Sequence, residues 1–178
     1  MLYARRRCRA SDSQFISDQP DDEAMKTKAE LPEIVESPCW EVSPVDFYEF
    51  LRQLPHLFPS NSVLCLEGVD VPRLAAYLRK RPAAYENELN QGWLNMRPKI
   101  FYMPITEENL QGFAALSERY AEPEVCSHLR VYRNDKIILS WHDLPSDPFY
   151  VANEIDEAAL RKFCSALGCE YVVDAEVI

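Results

Sequence analysis

The stretch His128-Leu129-Arg130-Val131-Tyr132-Arg133-Asn134-Asp135-Lys136-Ile137-Ile138-Leu139-Ser140-Trp141-His142 decides how this chain is read. Two runs rich in β-branched and aromatic residues flank Asn134-Asp135, residue types that tolerate the left-handed backbone of a tight turn. An antiparallel hairpin is expected. Its register matters because successive side chains of a strand point to opposite faces. With a three-residue loop, Asn134-Asp135-Lys136, Arg133 faces Ile137, Val131 faces Leu139 and Leu129 faces Trp141. The other face then carries Tyr132 with Ile138, Arg130 with Ser140, and His128 with His142. With a two-residue loop, Asn134-Asp135, His128 faces Trp141, Leu129 faces Ser140, and both faces become mixed. The three-residue loop separates core from solvent more cleanly and is preferred.

That register sets two of the three histidines opposite each other, with Cβ atoms about 4.5–5.5 Å apart. Two imidazoles at that separation can bind one divalent metal such as zinc, with Asp143 or Asp147 as a carboxylate ligand. The same groups can serve an acid/base hydrolase, with His128, His142 and Asp143 as the candidate catalytic residues. A metal site needs three or more protein ligands, and spacing does not fix the third. Two cross-strand histidines on a solvated face are the alternative. Ser140, His142 and Asp143 do not make a triad, because strand alternation points Asp143 away from His142, and no Gly-x-Ser-x-Gly elbow occurs. Cys126 lies two residues from His128, but no orienting residue completes a nucleophilic pair.

Outward from the hairpin, helix and strand signals alternate. Ser43 is the expected N-cap of a first helix, with Pro44 at its first position and Asp46 at its third. Val45, Phe47, Tyr48, Phe50, Leu51 and Leu54 form its apolar face, and Pro55 ends the run. Val63-Leu64-Cys65-Leu66 reads as a short buried strand. Asp70 is the expected cap of a second helix, with Pro72 in its first turn and Leu74, Ala75, Tyr77 and Leu78 inward. Arg79-Lys80-Arg81 sit at its C-terminal end, as a solvated helix end. Glu67 and Asp70 flank the strand-to-helix turn, where they either bind a cation or a basic group or serve the turn and cap. Ile100 to Met103 is a further strand. Thr106 caps a third helix facing inward through Leu110, Phe113, Ala114 and Ser117. Asp156 caps a last one through Leu160, Phe163, Cys164 and Leu167, stopped by Gly168. Tyr171-Val172-Val173 closes the series as a strand.

The expected fold is α/β or α+β: a mixed sheet of about five strands, including the hairpin, with about four helices packed on it. Strand–helix–strand order favours parallel neighbours. Residues 39–178 form the expected domain, behind a flexible segment, 1–38, with little apolar periodicity to bury.

Of 178 residues, 47% are hydrophobic, enough for an ordinary core, and only 4 are glycine, too few for a phosphate-cradling loop. The net charge is −10. Residues 1–38 carry 6 basic and 8 acidic side chains and residues 39–178 carry 13 and 21, so most of the excess lies in the domain. An acidic domain repels phosphate backbones and suits a basic protein partner. No stretch has the apolar run of a signal peptide or a membrane span, so a cytoplasmic location is expected. The six cysteines contain no Cys-x-x-Cys pair. Pro82 to Pro98 carries Tyr85, Trp93, Leu94 and Met96, the residue types of interface cores, and is the expected partner-binding segment; folding back onto the core is its alternative. The function expected from these features is a non-enzymatic, immunity- or adaptor-like binding module, with a hydrolase at His128 and His142 as the alternative.

Overall fold

The computed structural model describes residues 38–58, 61–84 and 99–175. The chain divides into two units, 1–31 and 32–178, and every described residue belongs to the second. In chain order the elements are β1 (Cys39–Val42), α1 (Phe47–Leu57), β2 (Val63–Glu67), α2 (Pro72–Arg79), β3 (Ile100–Pro104), α3 (Glu107–Ser117), α4 (Glu122–Val125), β4 (His128–Arg133), β5 (Lys136–Trp141), β6 (Phe149–Ala152), α5 (Glu157–Leu167) and β7 (Tyr171–Ala175).

The class is α+β. Seven strands form one sheet in the order β3-β2-β4-β5-β6-β1-β7. Every neighbouring pair is antiparallel, rather than the mixture expected from alternating strands and helices. Two features explain the difference. After α2 the chain returns to the end of β2 that it left, so that Glu67 pairs with Ile100 and Gly68 N donates to Lys99 O at 3.1 Å. β3 and β4 both run antiparallel to β2 and hence parallel to each other, but β2 lies between them. The crossover through α3 and α4 thus joins parallel strands that never touch. The two extra strands, β1 and β6, have four residues each, too few to give a period in the sequence.

Local capping follows the sequence at two helices and departs from it at two. Thr106 Oγ1 accepts from Asn109 N at 3.2 Å, and Asp156 Oδ2 accepts from Ala159 N at 3.1 Å. Gly168 stops α5 at φ 68°. At α1 the cap is Asp46, whose Oδ1 accepts from Glu49 N at 2.8 Å. Ser43 follows β1 directly, and its backbone and hydroxyl are taken by Glu170 at the approach to β7. Pro55 lies inside α1, whose last turn is held by Phe58 N donating to Leu54 O at 3.0 Å. At α2 the cap is Val71, which offers no side-chain bond, and Asp70 pairs instead with Lys99 at 3.3 Å.

The main core lies between the helices and one face of the sheet, and all five helices contribute to it. Phe50 sits at its centre, with ring centroids 4.8 Å from Trp141, 5.1 Å from Phe149 and 5.9 Å from Phe163. Truncating such a fully buried ring costs about 3–5 kcal/mol. A second, smaller cluster of Cys39, Cys65, Tyr102, Tyr132 and Ile137 occupies the opposite sheet face, and no described helix contributes to it. Among the described residues, no helix is long and apolar enough to cross a membrane.

Candidate functional site on the helix-free sheet face

The hairpin joins features of both expected registers. Its turn has two residues, Asn134 at φ 50° and Asp135 at φ 63°, the paired left-handed conformation whose twist matches that of the flanking strands. At the tip Arg133 pairs with Lys136 and Tyr132 with Ile137. The register then shifts, and Val131 pairs with Leu139, Arg130 with Ser140 and Leu129 with Trp141. Ile138 is the extra residue of a bulge. The stem therefore has the register of the three-residue loop, while Ile137, not Ile138, joins Tyr132 on the helix-free face. Ile138 turns into the main core. The bulge keeps Leu139 and Trp141 in that core, which a bulge-free two-residue hairpin would reverse.

At the base of the stem, His128 and His142 are brought together, with ring centroids 5.0 Å apart and planes at 52°. Asp143 N donates to His128 Nδ1 at 3.4 Å. Asp143 thus meets the pair through its backbone. Asp147 is exposed, and its carbonyl accepts from Trp141 Nε1 at 2.8 Å. Among the described residues, no group of three or more His, Cys, Asp or Glu side chains is placed to hold a metal ion.

The registers of the whole sheet place these histidines within a larger polar array. Glu67 of β2 pairs with His128 of β4. Two residues along the strands, on the same face, Tyr102, Cys65, Arg130, Ser140, Tyr150 and Glu41 follow one another as direct partners across six strands. Four members of this row are buried: Tyr102 is 7% exposed, Cys65 2%, Arg130 6% and Ser140 0%. Arg130 Nη1 donates to Glu67 Oε2 at 2.9 Å. Burial works against the guanidinium charge, but the hydrogen bond to Glu67 and neighbouring groups outweigh it, and its pKa is raised. Burial pushes the Cys65 thiol up to about 12, only partly opposed by Arg130. The row therefore offers a fixed cation and a protonated thiol.

The sequence placed Arg130 opposite Ser140 but gave no sign of its ion pair. Glu67 and Arg130 meet only because β2 inserts between β3 and β4, a long-range pairing that local patterns do not encode. Glu67 and Asp70, considered together as a cation site, go to separate partners, Arg130 and Lys99. Cys126 lies in the main core at 0% exposure, and burial raises its pKa, so it supplies no thiolate to His128. Tyr85, Trp93, Leu94 and Met96 lie outside the described residues.

Two further surfaces carry polar groups. Between α1 and α5 a cleft of about 410 Å³ is lined by Gln53, His56, Ala159, Lys162, Phe163 and Ala166, and it contains no carboxylate. Near the start of α1, Tyr48 donates its hydroxyl to Tyr120 O at 2.6 Å. Burial raises the Tyr48 pKa, and Glu122, Asp46, Glu118 and Glu124 raise it further through their charges. Arg52 answers part of this charge by pairing with Glu49 at 2.6 Å and with Glu118.

Comparison with protein families, with curated proteins and with solved structures finds no match.

Proposed function

We propose that this protein is a non-enzymatic, immunity- or adaptor-like binding module of the cytoplasm that meets a basic protein partner. The observation that carries this reading is the group of carboxylates around Tyr48. Asp46 comes from the cap of α1, Glu118 from the end of α3, and Glu122 and Glu124 from α4. Three separate elements thus bring like charges close enough to disfavour ionisation of the same phenol. Such a field attracts an oppositely charged surface and speeds its encounter. It repels nucleic acid. Two buried thiols support the same reading, since Cys65 in the sheet row and Cys126 in the main core both hold their protons.

A second reading, a metal-dependent or acid/base hydrolase, is favoured by one observation, the 5.0 Å approach of His128 and His142. One experiment separates the two. The full chain and its Glu118→Gln/Glu122→Gln/Glu124→Gln variant are used as affinity baits, with mass spectrometry of what is retained and elemental analysis of the bait. Binding predicts a basic protein that is held by the native chain, released by added salt and lost from the variant. Stoichiometric zinc that disappears in His128→Ala, with no charge-dependent partner, would support the hydrolase instead.

A further inference from the structure

We infer that Cys164 and Cys169 form a redox-active dithiol, which a small-molecule disulfide such as oxidised glutathione converts into an intramolecular disulfide across the C-terminal turn of α5. Geometry places the two side chains together. Gly168 adopts the left-handed conformation, and Cys169 N donates to Cys164 O at 3.0 Å. This is the helix-ending motif in which a side chain of the last helical turn, here Cys164, touches that of the residue after the left-handed one, here Cys169. In most helices that contact joins two apolar groups; here it joins two thiols. The 3.0 Å bond holds the two Cα atoms within about 7 Å, the span that disulfides bridge.

The two thiols are not equivalent. Cys164 is 2% exposed, whereas Cys169 is partly exposed. The neighbouring Cys164 thiol lowers the Cys169 pKa, and Cys169 in turn raises that of Cys164. Cys169 is therefore the attacking thiolate and Cys164 the resolving thiol. The other described cysteines, Cys39, Cys65 and Cys126, are buried, and burial raises the pKa of each.

The steps balance as thiol–disulfide exchange. Cys169 gives its proton to water, and its thiolate attacks one sulfur of oxidised glutathione. The glutathione S–S bond breaks, and one glutathione leaves as a thiolate that takes up a proton. Cys169 now carries a mixed disulfide and no charge, so the interaction that held the Cys164 proton is gone. Cys164 then loses its proton and attacks the Cys169 sulfur, releasing the second glutathione. Two cysteine thiols are oxidised by two electrons, and one disulfide is reduced to two thiols.

The test uses the reduced full chain, treated with oxidised glutathione at neutral pH and quenched with N-ethylmaleimide. Trypsin cuts after Lys162, so both cysteines fall on the peptide of residues 163–178. The expected peptide is two hydrogens lighter than its reduced form and carries no maleimide. Cys164→Ala should trap glutathione on Cys169. Cys169→Ser changes only the partly exposed position and should leave Cys164 without an adduct. A native peptide that carries two maleimides, or a lasting glutathione adduct in place of the internal bond, would overturn the inference. So would equal glutathione uptake by Cys164 in Cys169→Ser.

Discussion

Arg130 and Glu67 join β4 to β2 through a bond of 2.9 Å on the helix-free face, and the arginine side chain is only 7% exposed. Removing one partner strands the other charge in a poorly solvated place. Glu67→Gln leaves the more buried charge, Arg130, without its carboxylate and is expected to lower stability by about 3 kcal/mol; Arg130→Met leaves Glu67, which is 19% exposed, and should cost less. The double variant should lose less than the two single losses combined. Urea midpoints of the four proteins measure this; strict additivity would show that the pair contributes no coupling.

A second expectation concerns alkaline pH. The folded protein holds the Cys65 thiol protonated up to about 12, against an ordinary value of 9.0. Between those values the unfolded chain binds fewer protons than the folded one, so stability is full below pH 9 and falls as pH rises. This group alone accounts for a loss on the order of 4 kcal/mol by pH 12. Raised values for Tyr48, Tyr77 and Tyr150 act in the same direction above pH 10. Denaturant midpoints followed from about pH 8 to about pH 11 should decline, and less steeply in Cys65→Ala.

Packing between α2 and α3 gives a third. A Cβ on Gly112 would lie 2.3 Å from the Tyr77 hydroxyl, which donates to Asn109 O at 3.0 Å. Gly112→Ala is expected to cost about 2 kcal/mol by forcing that ring aside. Tyr77→Phe alone should cost about 1 kcal/mol for the lost hydrogen bond. Because the same oxygen is the obstacle, the double variant should be more stable than the sum of the single effects allows. Thermal melts of the set decide it.

The hairpin turn supplies a fourth. Asp135 has φ 63°, a conformation that glycine adopts without steric penalty. Asp135→Gly should raise stability by about 0.5 kcal/mol, and Asn134→Val, with its branched Cβ at φ 50°, should lower it by about 1–2 kcal/mol. Equal midpoints for both variants would mean that turn strain is not limiting.

What the sequence disclosed followed the range of the interaction. Thr106, Asp156 and Gly168 act within a single helical turn, and local patterns located all three. The stem register was legible because only one arrangement buries both Leu139 and Trp141. The tip was not, because a bulge at Ile138 lets a two-residue turn coexist with that stem. Ser43 was a plausible cap by type, yet Glu170, 127 residues away in sequence and just before β7, competes for its hydroxyl. Glu67 and Arg130, 63 residues apart, meet through a pairing order that no local signal carries. The candidate site was therefore half legible: His128 and His142 were placed together, while the ion pair beside them was not.

The position of β1 has a consequence for how the chain is made. It is the first described strand to leave a ribosome, yet both its neighbours, β6 and β7, come from the far end of the described sequence. The strand pairs β2–β3, β2–β4 and β4–β5 can zip up while synthesis continues, but β1 must wait. During that interval its backbone donors and acceptors have only water as partner, and Trp40 and Val42 have no core to enter. Completion of the sheet is thus a late event with a long loop to close, the step expected to set the pace of folding.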